Sequence, residues 1–202
     1  AAHFKINLSE IDVDYYVASA HKLCGPTGVG FLYGKSELLE ELPPYQGGGE
    51  MISSVTFEKT EYADLPHKFE AGTPNISGVI GFGAAIDYMN NIGFDNIEAY
   101  EQELLKYATD RLNKIPGIKI YGDQVNKISV ISFNLSNHHP SDIGSILDQF
   151  GIAVRTGQHC TQPIMDFYKI PGTVRVSLSF YNTKSEIDLL IDALEKASTM
   201  LG

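Results

Sequence analysis

The chain has 202 residues, 43% hydrophobic and 20% charged, with no low-complexity tract or repeat, a length that suits one domain or one and a half. Twenty-five acidic against 15 basic residues give a net charge of -10, which argues against a nucleic-acid-binding surface, and no apolar run reaches the ~20 residues of a membrane span. Two cysteines in such a length are not a disulfide framework, so a reducing, cytoplasmic setting is expected.

The chain opens on Ala1-Ala2 and is expected to run at once into strand-rich structure. Val13 to Ala18, rich in β-branched and aromatic residues, predicts a strand ending at Ser19, and Val29 to Tyr33 predicts the next one. Gly25-Pro-Thr-Gly28 is the turn between them. Ser36 to Leu42 predicts a short helix stopped by Pro43-Pro44, and 45–68 an irregular loop with short strands. Ser77 to Asn91 carries Gly81, Gly83, Ala84 and Ala85 and predicts a small-residue helix packed in an interior. A boundary is placed near residue 91, dividing the chain into 1–91 and 92–202.

Beyond it, Leu104, Leu105, Ala108, Leu112 and Ile115 recur at helical spacing, so Ile97 to Ile115 predicts an amphipathic helix ended by Pro116-Gly117. Ile118 to Tyr121 and Ile128 to Phe133 predict strands. Ser141 to Phe150 predicts a helix with Pro140 at its first turn and Gly151 at its end. Strands follow at Ile152 to Arg155 and Val174 to Phe180, and Thr183-Lys-Ser-Glu186 is a capping box opening a last helix through Leu201. This alternation describes a compact α/β sandwich.

Several residues invite chemistry. Lys22 ends an apolar strand and enters a glycine-rich turn; the usual alternative is a surface lysine, but its amine could form a Schiff base with an aldehyde, and Ser19 and His21 beside it can hydrogen-bond a phosphate or a ring. The glycines suit neither a P-loop, which would need glycine where Val29 stands, nor a dinucleotide fingerprint, which must open a helix. Cys160, in polar, loop-like surroundings beside Arg155 and His159, sits where positive charge favours a thiolate, whereas Cys24 in its tight turn is expected to be a buried, inert thiol. Arg175 lies inside an apolar strand and needs an anion, either an internal salt bridge or the α-carboxylate of an amino acid, with Arg155 as a second candidate contact. Gly72-Thr73 ahead of a helix start could hold a phosphate or simply cap the helix. His138-His139 is expected to open a helix, and no set of residues has metal-ligand spacing.

Five segments, in order, resemble one family. They are Ser19-Ala-His-Lys22 with the glycine turn behind it, Gly47-Gly-Gly-Glu-Met-Ile52, Phe69-Glu-Ala-Gly-Thr-Pro-Asn75, Arg155-Thr-Gly-Gln-His-Cys160 with Thr-Gln-Pro163, and Arg175 ahead of Tyr181-Asn-Thr183. The first resembles the pyridoxal-phosphate lysine motif of the class V aminotransferase group. The fourth resembles the catalytic cysteine loop of the SUF-pathway (group II) cysteine desulfurases, or selenocysteine lyase-like enzymes. The resemblance implies an α/β fold, the C-terminal part of a fold-type I pyridoxal 5'-phosphate-dependent transferase, with 1–91 the end of the large cofactor domain and 92–202 the small C-terminal domain. It further implies a cysteine desulfurase that turns L-cysteine into L-alanine, leaves a persulfide on Cys160 and supplies sulfur to a SUF acceptor protein for iron–sulfur cluster assembly. Lys22 would bind the cofactor with Ser19 and His21, Arg175 and Arg155 would bind the substrate, and Gly72 and Thr73 would reach the cofactor phosphate of the partner in a homodimer. Selenocysteine lyase, another class V enzyme, or a catalytically incomplete fragment are the alternatives.

Two departures accompany the resemblance. Gln158 stands where the family more often has histidine. The aspartate that the family places on the pyridine nitrogen, about two dozen residues before the lysine, falls outside a chain in which 21 residues precede Lys22, and Asp12 and Asp14 lie too close to replace it. The piece alone is therefore expected to be inactive.

Overall fold

A computed structural model describes residues 1–122 and 126–202. The chain divides into two compact units, Ala1–Phe94 and Asp95–Gly202, three residues beyond the expected boundary.

The first unit opens not on a strand but on a short helix, α1 (Leu8–Ile11), because the Asn7 side chain accepts from Ser9 N and caps it. Strands β1 (Tyr15–Ser19) and β2 (Gly30–Gly34) form an antiparallel hairpin in the register Tyr15 to Gly34 through Ser19 to Gly30. Helix α2 (Ser36–Glu41) follows, then a second hairpin of β3 (Ile52–Val55) and β4 (Thr60–Tyr62) within the expected irregular region. Helix α3 (Ile76–Ile92) is capped by Asn75, whose side chain accepts from Gly78 N. Its small residues do not all pack inside as expected. Gly78 and Gly81 do: a Cβ on Gly78 would fall 2.4 Å from Val29 Cγ2, and one on Gly81 2.9 Å from Pro26 Cγ. Gly83 and Ala84 face outward, as do Ile76, Val79 and Ile80, while Phe82, Ala85 and Met89 are buried. Glycine thus lets α3 sit directly on the turn that follows Lys22.

All but the first residue of α4 (Phe94–Leu112) lies in the second unit, and its stripe of Leu104, Ala108 and Leu112 is buried at the spacing of one helical face. Four antiparallel strands, β5 (Ile118–Tyr121), β6 (Val130–Leu135), β7 (Arg155–Gly157) and β8 (Thr173–Ser177), form a sheet in the order β5-β6-β8-β7. Helices α5 (Pro140–Gln149) and α7 (Lys184–Leu201) join α4 on one face of it. That face holds the core: Ile131, Phe133 and Leu135 of β6 and Val174 and Val176 of β8 meet Ile143, Leu147, Ile187 and Leu194. Strand alternation sends Ser132, Asn134 and Arg175 to the opposite face.

Local chemistry accounts for the element ends. His139 is the N-cap of α5, its Nδ1 accepting from Ser141 N, with Pro140 at the first position, as expected for His138-His139. The capping box of Thr183 and Glu186 is formed, and it draws the Glu186 carboxyl below its usual range through the Thr183 backbone N–H. Strand β7 starts at Arg155 rather than ending there, β8 stops at Ser177, and a helix that the sequence did not suggest, α6 (Gln162–Tyr168), follows the cysteine. Glu101 is buried on the α4 stripe and accepts from Ser129 Oγ at 2.8 Å, Ser179 Oγ at 3.1 Å and Phe180 N at 3.1 Å, tying the helix to the segments flanking β6 and β8.

Truncating the fully buried Phe133 to alanine should cost about 3–5 kcal/mol in urea unfolding, whereas Thr183→Ala, which removes one cap, should cost about 1 kcal/mol. A larger loss from the cap than from Phe133 would contradict the placement of the core.

Candidate active site

Lys22 is set by its neighbours. It closes a 3-10 turn, Ala20–Lys22, rather than the strand itself. Ala20 is fully buried; its N–H donates to Val29 O at 2.9 Å, and its carbonyl accepts from Leu23 N at 2.8 Å and Gly25 N at 2.9 Å. A Cβ on Gly25 would lie 2.9 Å from that same carbonyl, so the turn closes this tightly only with glycine there. Leu23 is buried on the other side. Between these anchors the Lys22 side chain is exposed and has no hydrogen bond or ion pair with the described residues, and Ser19 and His21 are exposed beside it. Cys24 is a correction: it is exposed, at φ 59°, because the turn puts it in the left-handed region with its side chain outward.

Gly72 and Thr73 belong to the same unit. Gly72, at φ 75°, donates its N–H to Gly49 O at 2.9 Å, which joins the segment to the triple-glycine loop, and Thr73 is exposed three residues before α3.

The second unit carries the cysteine loop on the helix-poor face of its sheet. Opposite residues in register share a face, so Tyr121, Ser132, Arg175 and Arg155 form one row across β5, β6, β8 and β7. The two arginines are direct cross-strand partners, and neither has a carboxylate partner among the described residues. Like charges in that position repel, and Arg175 Nε is buried without an acceptor. The internal salt bridge considered for Arg175 is therefore not formed among the described residues. Arg155 instead reaches the sulfur, its Nη2 donating to Cys160 Sγ at 3.5 Å.

The loop leaves β7 where its backbone is crowded. A Cβ on Gly172 would lie 2.7 Å from Gly157 O, and Gly157 itself has φ 107°. His159 and Cys160 follow at φ 53° and 62°, two consecutive non-glycine residues in a conformation that needs support. Support comes from Thr161, whose hydroxyl and N–H both donate to Gln158 O, and from His159 Nε2, 2.9 Å from Thr173 Oγ1 and 3.1 Å from Thr173 O. Burial pushes the His159 ring below its usual range; the Thr173 carbonyl pulls it partly back, and Arg175 and Arg155 add to the lowering. The ring is turned toward the sheet and Cys160 stays exposed.

Three further residues were not suggested by the sequence. Thr173 is buried under the loop, Asn134 donates to Gly172 O at 3.1 Å on the same face, and Tyr168 of α6 meets Tyr121 with ring centroids 5.1 Å apart. The glycines at 157 and 172 were the one available signal of a close backbone approach there. No group of three or more His, Cys, Asp or Glu among the described residues could hold a metal, and no described helix is long and apolar enough to cross a membrane.

Comparison with known proteins places this architecture. The Aminotransferase class-V family matches residues 1–190. A cysteine desulfurase of Serratia proteamaculans is 48% identical over 201 residues, which are 99% of this chain and 49% of that protein. The crystal structure of the Escherichia coli cysteine desulfurase CsdA, in its S-sulfonic acid form, superposes with a TM-score of 0.94 at 40% identity, over 98% of this chain and 49% of that one. C-DES, of which a lysine-to-alanine mutant was solved with glycine covalently linked to its PLP cofactor, shares the fold at a TM-score of 0.81 and 22% identity, over 96% of this chain and 49% of that one. The chain spans about half the length of the curated relatives it matches. With the mixed α/β fold, the family match over nearly its whole length and the ordered motifs, this chain belongs to the class V aminotransferase family.

Proposed function

We propose that this chain supplies the cofactor lysine and the sulfur-accepting cysteine of a pyridoxal 5'-phosphate-dependent cysteine desulfurase. The observation that carries this reading is the arginine pair. Two guanidinium groups opposite each other, one with a buried unpartnered Nε and the other on the cysteine sulfur, make a site for a small anion beside a thiol. The α-carboxylate of cysteine is such an anion, and a planar guanidinium fork matches it. The 48% identity to cysteine desulfurases supports the same choice of substrate.

Pyridoxal phosphate fits the residues present on the first unit. A covalent anchor needs an amine that is not committed to an ion pair, and Lys22 is exposed and unpaired among the described residues, on a turn anchored on both sides. Ser19 and His21 flank it, and Gly72 and Thr73 would meet the cofactor phosphate across a homodimer. When bound, the cofactor supplies a ring that accepts the electron pair released at the substrate Cα.

The chain's own residues do the rest. Lys22 holds the cofactor and then, its amine released, moves the proton at the substrate Cα. Arg175 and Arg155 fix the substrate carboxylate, which orients the substrate sulfur toward Cys160. The Cys160 thiolate attacks that sulfur: a sulfur–sulfur bond forms, the substrate carbon–sulfur bond breaks, and the carbon takes a proton to give alanine. The persulfide left on Cys160, exposed on its loop, would pass to the thiol of a SUF acceptor protein for iron–sulfur cluster assembly in the cytoplasm.

Incubation of the chain with pyridoxal phosphate, borohydride reduction and peptide mapping should find the cofactor on the peptide containing Lys22. Label on other lysines alone would overturn that role. In the assembled enzyme, Cys160→Ser should abolish persulfide formation and leave cofactor attachment at Lys22 intact. Arg175→Ala should raise the KM for L-cysteine roughly 10- to 100-fold, the loss of a charge-assisted hydrogen bond; an unchanged KM would remove Arg175 from the substrate site.

A further inference from the structure

The conformation of Cys160 needs an explanation that its own contacts do not supply. It sits at the end of a loop with three positive φ angles in four residues, at Gly157, His159 and Cys160. Of these only glycine adopts that conformation freely. The Arg155 contact at 3.5 Å joins two exposed side chains and is a weak restraint by itself. The stronger attachment lies one residue earlier, where the His159 ring turns back into the sheet and meets Thr173, 1% exposed, at both its hydroxyl and its carbonyl.

The chemistry of that contact fixes the ring. A carbonyl oxygen only accepts, so Nε2, 3.1 Å from Thr173 O, carries the hydrogen and shares it with Oγ1 at 2.9 Å. Nδ1 is then a bare acceptor, buried and without a partner among the described residues. Among the described residues the ring therefore has one attachment, to Thr173. Thr173 in turn cannot shift. It faces Gly157 in the strand register, it follows Gly172, whose backbone crowds Gly157, and Asn134 holds the Gly172 carbonyl from β6.

We propose that Thr173 is a positioning residue that, through His159, holds the Cys160 sulfur against Arg155, the cross-strand partner of Arg175. The functional meaning of that placement rests on the desulfurase reading above; the placement itself does not. Removing the hydroxyl takes away one of two acceptors for the ring N–H and leaves a methyl group against a polar ring atom. The loop then loses its hold on the sheet, and Cys160 moves off Arg155 while remaining accessible.

The test uses the 202-residue chain without cofactor and reads the charge around the sulfur. Rates of Cys160 alkylation are measured with iodoacetate, which is anionic, and iodoacetamide, which is neutral, with Cys24 resolved by peptide mapping. The ratio of the two rates reports neighbouring positive charge, and a general loss of stability would not lower it selectively. Thr173→Val should lower the ratio at Cys160 roughly five-fold at low ionic strength, the worth of one nearby charge in water, without changing it at Cys24. Thr173→Ser, which keeps the hydroxyl, should restore it. An unchanged ratio in Thr173→Val, an equal fall in both rates, or no recovery in Thr173→Ser overturns the proposal. If Thr173→Val does not fold, His159→Ala removes the other half of the contact from the exposed loop; it should show the same loss, and retention of the wild-type ratio overturns the proposal. Failure to label Lys22 with pyridoxal phosphate would sink the desulfurase reading and leave this ratio untouched, so the two failures are separable.

Discussion

The placement of Arg155 directly across from Arg175 is the constraint around which the second unit is organised. Two cations facing each other on adjacent strands are unfavourable, and the strands tolerate them because the other side of the sheet is packed so well. Ile131, Phe133, Leu135, Val174 and Val176 are buried against three helices, and this apolar burial offsets a repulsion that the row of arginines leaves unanswered. One face of the sheet holds the strands together, and the other spends part of that stability on a site shaped for an anion. A cysteine sulfur lies at its edge.

The cysteine loop extends the same division. Its left-handed residues are costly, and the loop is held to the sheet beside them by His159 on the buried Thr173 and by Asn134 on the Gly172 carbonyl. The loop is exposed where it must meet substrate and acceptor, and it is anchored where it leaves the sheet. In the first unit Lys22 follows a related plan with different parts. The fully buried Ala20 holds the turn by its N–H and its carbonyl, and the lysine amine projects from the turn so held.

The elements with a strong periodic signal were legible in the sequence. Helix α4 announced itself by the 3.6-residue spacing of Leu104, Ala108 and Leu112, and α7 by Thr183 and Glu186. Helix α6 gave no such signal, since seven residues complete barely two turns and only Met165 among them is buried. Glu101 was hidden by its place on an apolar stripe, where its burial depends on donors from Ser129 and Ser179, distant in sequence. Cys24 was read as buried because free cysteines usually are, but the turn geometry turns it outward. The chemistry of the site was visible as residue types, Lys22, Cys160, Arg155 and Arg175. What supports them was not, because Thr173 and Asn134 act through strand register, which a sequence without partners does not display.

The hairpin of β1 and β2 has a consequence of another kind. It is a sheet of only two strands, and Val17, Phe31 and Leu32 on it are exposed, as are Val79 and Ile80 on α3. Among the described residues neither of its outer edges pairs with a further strand, and unpaired edges alongside apolar side chains are the combination that recruits one. Handled by itself at high concentration, this polypeptide would be drawn toward self-association through those edges, and its solubility would be governed by the segment around the lysine more than by the well-packed segment around the cysteine.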